Sequence, residues 1–361
     1  MSPTSYLTAP PRGVVYEFSK LGLGVNPRSH AQRIMGCTVR AVSSSSRIAV
    51  VDLGTNSTRL LVAEVVGGRV VELERRTVVT RLGEGVEATG RLSEGAIARV
   101  NETLGAYREV IDRLGAVTVV AVATSAMRDA DNGPVLRDAI RDRFGIEART
   151  ISGDEEAQLT FLGATSGRPE GAGGTRRQGP ETLVIDIGGG STEYVTGRQG
   201  GDPGFHVSTR MGSVRHTERH LHHDPPEGNE VTALAEDAAR TVAAEVPDEV
   251  RTRVEHGIGV AGTATSLAAI DQRLDPYDPD RVHGYRVGLG TCERIVAQLA
   301  ALTVADRRRV RGLHPDRAPT IVAGAVIMLE SMRAFELEEI EISEADILHG
   351  AALTAATKLA G

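Results

Sequence analysis

Apolar residues recur along the chain in two rhythms. Short unbroken runs, among them Ile48-Ala49-Val50-Val51, Val117 to Ala123 and Leu183-Val184-Ile185, read as buried strands, while apolar spacings of three and four mark helices between them. Ile97, Val100, Leu104, Tyr107, Ile111 and Leu114 form one helical stripe, opened by Ser93 as its cap. Val135 to Phe144 is a second helix, and Ile146 to Ile151 is again a strand. Strands alternating with helices predict an α/β fold whose sheet is covered on both faces, with ligands at the carboxyl ends of its strands.

One stretch of this pattern occurs twice. The first strand runs into Asp52-Leu53-Gly54-Thr55-Asn56-Ser57-Thr58-Arg59, then into a strand from Leu60 to Val66, a Gly67-Gly68 hairpin turn, a strand from Val70 to Leu73, and Arg81-Leu82-Gly83. The later copy runs from Leu183 through Asp186 into Gly188-Gly189-Gly190-Ser191-Thr192-Glu193, then a strand to Thr196, a Gly200-Gly201 turn, a strand around Phe205 to Ser208, and Arg210-Met211-Gly212. Two copies of one unit imply a duplicated fold with two anion-sized turns. In the second turn the glycines let backbone N–H groups approach an anion and the hydroxyls add donors at its rim. An acid ending the preceding strand, Asp186, would hold a metal ion or a water beside that anion.

Composition narrows the class. A chain of 361 residues, 40% hydrophobic and 25% charged, is long enough for two domains. The formal net charge of −7 gives no global attraction for nucleic acid or membrane, so any polyanion must be held by a local cluster of arginines. Cys37 and Cys292 are too few for a disulfide framework or a zinc site, and no apolar run approaches the roughly 20 residues of a membrane span. A cytoplasmic protein is expected. Residues 1–46, with several arginines, four consecutive serines and Glu17 as their sole acid, read as a disordered leader or an upstream start assignment rather than a transit peptide.

Several segments between and after the two copies carry possible chemistry. Ser152-Gly153-Asp154-Glu155-Glu156-Ala157 fits a capping box in which Glu155 accepts from the backbone of Ser152. Glu156 has no such local partner. It either complements the helix dipole or, at the lip of a cleft, accepts a proton from an attacking water. Gly163 to Pro180, with Arg176 and Arg177, reads as an exposed loop. His216, His220, His222 and His223 cluster before Pro225-Pro226, but adjacent His222 and His223 point apart, which disfavours zinc. Gly262-Thr263 before the helix from Leu267 to Arg273 is either a third anion site or a plain helix start. His283 reads as a hydrogen-bonded turn residue. Arg307, Arg308, Arg309, Arg311 and Arg317 read as a solvated basic face, Ile321 to Met328 as a core helix, and Ser343 as the cap of a last helix ending near Lys358.

Taken together, Asp52 to Ser57, Ala123-Thr124-Ser125-Ala126-Met127-Arg128, Ser152 to Ala157, Asp186 to Glu193 and Gly259-Val260-Ala261-Gly262-Thr263 resemble the exopolyphosphatase and guanosine pentaphosphate phosphohydrolase family, from about Arg47 to the C-terminus. The resemblance implies a duplicated ribonuclease H-like fold of the kind seen in actin, Hsp70 and sugar kinases, with two domains facing across a cleft. On that basis residues 47–154 form domain I, 155–342 domain II, and 343–361 a C-terminal helix that packs back on domain I. It implies Glu156 as catalytic base, with Asp186 and Glu193 holding Mg2+ or the attacking water. Phosphates would be gripped by Asp52, Asn56, Ser57, Thr124, Ser125, Gly188, Gly189, Gly190, Ser191, Thr192, Gly262 and Thr263, with Arg128 beside them and Arg81 and Arg210 added by internal symmetry. The implied activity is exopolyphosphatase, on short chains because the sequence stops after the two core domains. Guanosine pentaphosphate hydrolysis and a sensor without turnover are the alternatives. Polyphosphate or pppGpp is the expected ligand and a homodimer the expected assembly. Pro319 after Arg317-Ala318 departs from the family pattern, so this segment is given no binding role.

Overall fold

The computed structural model describes residues 47–166, 181–198, 201 and 203–360. The expected leader, Arg176, Arg177 and the Gly200 half of a turn lie outside the described residues. The first sheet is built from β1 (Arg47–Leu53), β2 (Thr58–Val66), β3 (Arg69–Val78), β4 (Thr118–Ala123) and β5 (Ala148–Thr150), in the order β3-β2-β1-β4-β5. The second is built from β6 (Thr182–Ile187), β7 (Thr192–Gly197), β8 (Pro203–Thr209), β9 (His256–Val260), β10 (Arg286–Gly288) and β11 (Glu339–Ile342), in the order β10-β11-β9-β6-β7-β8. β1 lies antiparallel to β2 and parallel to β4, and β6 likewise lies antiparallel to β7 and parallel to β9. The duplication read from the sequence therefore extends to strand order and direction, with β10 added as an antiparallel edge. Gly67 and Gly68 turn the β2–β3 hairpin with φ of 59° and 77°, the left-handed backbone that glycine adopts without steric cost.

Helices cover both sheets. α1 (Glu94–Leu114) begins at Ser93, whose Oγ accepts the Ala96 N–H, and with α2 (Gly133–Phe144) it lays Leu104, Ile111, Leu136 and Ile140 on the β1–β2 face. α3 (Gly153–Thr165) sets Ala157, Phe161 and Ala164 against Val184, Val195 and Ile258 of the second sheet. α4 (Ser213–His220) and α5 (Gly228–Glu245) follow β8, and α5, α6 (Ala261–Asp271), α7 (Leu289–Ala300) and α8 (Ile321–Ala334) fill that sheet's other face. α9 (Ile347–Ala360) places Leu348, Ala351, Ala352 and Ala355 on Ile48, Val50, Leu61 and Ala63 of the first sheet. Each fully buried leucine, isoleucine or valine side chain among these contributes roughly 1.5–3 kcal/mol.

The α3–α9 pair thus stands between the sheets, and its crossing is set by glycines. A Cβ on Gly163 would lie 1.9 Å from the Asp346 carbonyl oxygen, and one on Gly350 would lie 1.8 Å from the Leu159 carbonyl oxygen. This explains why α3 continues through Gly163 to Thr165 where a loop was expected: the glycine serves a close approach, not a turn. Three other local expectations are corrected. Ser152 Oγ accepts the Glu155 N–H at 3.1 Å, but the Glu155 carboxylate does not complete the box, because it pairs with Arg149 at 2.5 Å. Ser343 binds the Ala345 N–H, and Asp346 caps α9 by accepting the Leu348 N–H at 3.0 Å. Arg307 is buried rather than solvated, donating to the carbonyls of Leu299, Leu302 and Ala318.

Candidate active site

The two turns meet at the carboxyl ends of β1 and β6. They share one backbone shape: Gly54 N–H donates to Ser57 O at 3.1 Å, and Gly188 N–H donates to Ser191 O at 3.0 Å. They also touch. A Cβ on Gly189 would stand 3.0 Å from Asn56 N, and one on Gly190 would stand 2.5 Å from Ser125 Oγ, so side chains here would push the turns apart. Thr55 Oγ1 and Ser125 Oγ lie 2.7 Å apart, which ties the first turn to the end of β4. The second turn is held by α4, whose Ser213 and Val214 N–H groups donate to Gly188 O and Gly189 O at 2.9 and 2.8 Å.

Between the turns, α3 and α6 lies a cleft. Of the expected site residues, Asp52, Asn56, Ser57, Thr124, Ser125, Glu156, Asp186, Gly188, Gly189, Ser191, Gly262 and Thr263 line it. Others do not. Thr192 is fully buried and donates to the Met211 carbonyl, a structural bond. Arg81 contributes its backbone N–H to Asn56 O at 2.9 Å, with its side chain outside the lining. Arg210 is exposed and reaches Glu87 and Asp129 at 3.4 and 3.8 Å. Arg128, Gly190 and Arg210 border a neighbouring opening that shares Ser125 and Ser191 with the cleft. From there Arg128 Nη1 reaches Glu156 Oε2 at 3.3 Å.

Cross-strand register explains the charge of the site. Asp52 on β1 lies opposite Arg59 on β2, and Asp186 on β6 lies opposite Glu193 on β7. The first pair is an ion pair, with Arg59 Nη2 2.7 Å from Asp52 Oδ2 and a second bond from Nη1 to Asp346. Asp52 Oδ1 remains buried without a hydrogen-bond partner. The second pair is two carboxylates, an arrangement that costs stability when directly opposed. Burial, with Glu193 next, pushes Asp186 up to about 8. Burial, then Glu193 and Asp186, holds Glu156 well above the ordinary carboxylate range despite Arg128. Glu193 is itself raised by burial; it is 1% exposed, accepts from Ser208 Oγ at 2.7 Å, and stands behind the lining rather than on it.

Two charged residues of the cleft were not anticipated. Arg59 was legible in principle, since the hairpin register pairs it with Asp52. Arg317 was not: it lies beside Gly262, where a Cβ would fall 1.6 Å from its Nη1. Its guanidinium makes no hydrogen bond or salt bridge to a described residue, and burial together with Arg59 lowers its pKa. It is the cleft's unpaired cation among the described residues.

Residues 61–358 match the family model described as the Ppx/GppA phosphatase family. The chain belongs to the Ppx/GppA phosphatase family. Exopolyphosphatase 2 of Mycobacterium tuberculosis is 37% identical over 331 residues, covering 86% of this chain and 99% of that protein. Exopolyphosphatase 1 of Mycobacterium bovis is 30% identical over 82% of this chain and 84% of its own length. The crystal structure of the Aquifex aeolicus Ppx/GppA family member superposes with a TM-score of 0.72 at 30% identity, over 88% of this chain and 99% of that one. An exopolyphosphatase from Cytophaga hutchinsonii gives 0.77 at 26% identity, over 87% and 98%. This Ppx/GppA protein is accordingly a hydrolase with the family's α/β fold of two mixed sheets, and no described helix is long and apolar enough to cross a membrane.

Proposed function

We propose that this protein is an exopolyphosphatase that releases the terminal phosphate of inorganic polyphosphate, with short chains favoured, by attack of a water activated by Glu156. The observation that supports this most is the position of Glu156: on the first turn of α3, buried, on the wall of the cleft opposite both turns, with a raised pKa. A carboxylate whose proton affinity is raised by its surroundings suits a general base. Its proton affinity comes from burial and from Glu193 and Asp186, while Arg128 fixes one oxygen and leaves the other for the water.

The donor set fits Mg2+. Asp52 Oδ1 is a buried oxygen without a partner and Asp186 lines the same cleft, so hard anionic oxygens converge as that ion requires. Asp186 and Asp52 would hold it, with Glu193 supporting Asp186 from behind. When bound, the ion supplies charge neutralisation for the phosphoryl oxygens and the leaving phosphate. The chain's own groups do the rest. Backbone N–H groups of the two turns, with the hydroxyls of Thr55, Ser57, Ser125 and Ser191, cradle the terminal phosphate. Glu156 takes a proton from the water as its oxygen bonds to the terminal phosphorus; the bridging P–O bond breaks and the shortened chain leaves as the anion.

Glu156→Gln keeps size and hydrogen bonding but removes the base. A folded variant with phosphate release lowered by a factor on the order of 10² or more is expected. Short polyphosphate, long polyphosphate and pppGpp are to be offered in parallel with Mg2+. Near wild-type release by Glu156→Gln would remove the base from the mechanism, and faster release from pppGpp than from any polyphosphate would reassign the substrate.

A further inference from the structure

Away from the cleft, α4 and α5 bring two histidines and an aspartate together. His216 and His220 stand one helical turn apart on α4, with ring centroids 5.5 Å apart, and both face Asp237 of α5. His220 Nε2 lies 3.0 Å and His216 Nε2 lies 3.5 Å from Asp237 Oδ2, and one ligand atom from each residue falls within 4.8 Å of the other two. A hydrogen bond accounts for His220 alone. His216 is 1% exposed, and its Nε2 is buried with no hydrogen-bond partner, aimed at the same carboxylate oxygen.

We propose that His216 Nε2, His220 Nε2 and Asp237 Oδ2 form a structural site for a divalent transition-metal ion of the zinc class. Ligands about 2.0–2.1 Å from a tetrahedral ion are separated by roughly 3.3 Å, and the two N···O distances here, 3.0 and 3.5 Å, bracket that value. Two imidazoles and one carboxylate are a zinc donor set, with the fourth position left to water. The second oxygen of Asp237 is already oriented by Arg240 at 3.2 Å, the outer-shell support that metal carboxylates take. Two features oppose cation binding and are met locally. Arg219 lies 3.6 Å from Asp237 Oδ2 but has an alternative partner in Glu87 at 2.7 Å. His216 Nδ1 accepts a long 3.4 Å contact from Gly212 N–H, which is given up when the ring proton moves to Nδ1. His222 and His223 do not join the cluster; the His222 N–H and the His223 ring both bond Glu230. The ion would tie α4 to α5, and α4 is the helix whose N-terminal N–H groups and Arg215 hold the carbonyls of Gly188, Gly189 and Gly190.

The test uses the full chain, freed of metal and then saturated with Mg2+ so that the oxygen donors of the cleft are occupied. Titration with Zn2+, and with Co2+ read by its visible absorption, is expected to show one tight equivalent in a nitrogen-containing four- or five-coordinate site and a rise in Tm with zinc. His220→Phe and Asp237→Asn, each checked for native circular dichroism, should lower affinity by a factor on the order of 10². The double variant His222→Ala, His223→Ala should bind as wild type. His220→Gln serves if Asp237→Asn does not fold. Absence of binding by the wild-type chain, or binding that survives His220→Phe and is lost in the His222/His223 double variant, overturns the proposal.

Discussion

At the scale of single residues, the two halves of the cleft are unequal in charge. The duplicated hairpin puts one cross-strand partner opposite each turn's aspartate: Arg59 neutralises Asp52, whereas Glu193 confronts Asp186. The cost of opposing two buried acids is sensible only where a cation or a proton is to be taken up. An anionic substrate entering among Asp52, Glu156 and Asp186 needs positive charge not already spent. Arg59 is spent on Asp52 and Asp346, while Arg317 is not. Arg317→Ala should therefore raise KM for polyphosphate by roughly tenfold with a smaller change in kcat, as expected when binding common to ground and transition states is lost. Gly262→Ala tests the same point without removing the charge. The three atoms nearest its Cβ would all belong to the flexible end of Arg317, the closest 1.6 Å away at Nη1, so the guanidinium must move while little stability is expected to be lost. A Gly262→Ala enzyme with unchanged KM would show that the position of Arg317 does not matter.

At the scale of elements, legibility followed sequence distance. Both turns, the Ser93 cap and the first-turn position of Glu156 were readable because each is decided by residues a few positions apart. The stripe from Ile97 to Leu114 likewise predicted α1, and Val100, Leu104 and Ile111 are buried. What could not be read was decided by contacts between remote segments. Nothing local in Arg317-Ala318-Pro319 announces a partner at Gly262, and Glu339-Ile340-Glu341-Ile342, though it alternates as a strand does, is only four residues long and takes its place between β9 and β10 from remote pairing. Gly163 shows the same limit, since a glycine that ends a helix and one that admits another helix look alike in sequence. That crossing gives a prediction. In Gly350→Ala the new methyl would sit 1.8 Å from the Leu159 carbonyl oxygen, backbone that cannot step aside, so α3 and α9 must separate. Destabilisation of roughly 3 kcal/mol is expected in urea unfolding. Gly228→Ala, where a Cβ meets nothing within 4 Å, should stay within about 0.5 kcal/mol of wild type. Equal stabilities for the two variants would mean that the helices are not in backbone contact.

At the scale of the whole molecule, the site's acids set how stability depends on pH. Burial is the first cause of the upward shifts of Asp52, Glu156, Asp186 and Glu193, with Asp186 reaching about 8. A carboxyl raised on folding binds its proton more tightly in the native state, so its stabilising contribution is complete below the unfolded pKa and is lost as pH rises toward the folded one. Each proton held only by the folded chain costs about 1.4 kcal/mol of stability per pH unit across that window. Other acids act in the opposite sense. Against the effect of burial, hydrogen bonds from His349 and Arg75 hold Glu72 down to about 2, and Arg59 and Arg75 lower Asp346; their contribution is present at neutral pH and lost in acid. In metal-free buffer Tm should therefore peak near the ordinary carboxylate range and fall from about pH 5 to pH 8. Asp186→Asn removes one buried acid and half of the opposed pair. In that buffer at pH 8 it should unfold at a higher temperature than wild type, by an amount worth on the order of 2 kcal/mol, while losing phosphate release. Adding Mg2+ should reverse the ranking, because a cation that binds the native wild-type site stabilises it by mass action and finds fewer charges in the variant. Thermal melts of both proteins across pH 5 to 8, with EDTA and with Mg2+, decide the matter. A wild-type Tm that rises with pH in EDTA would mean that these acids are ionised in the metal-free cleft, and the upward shift of Glu156 by burial and its neighbouring acids would have to be abandoned.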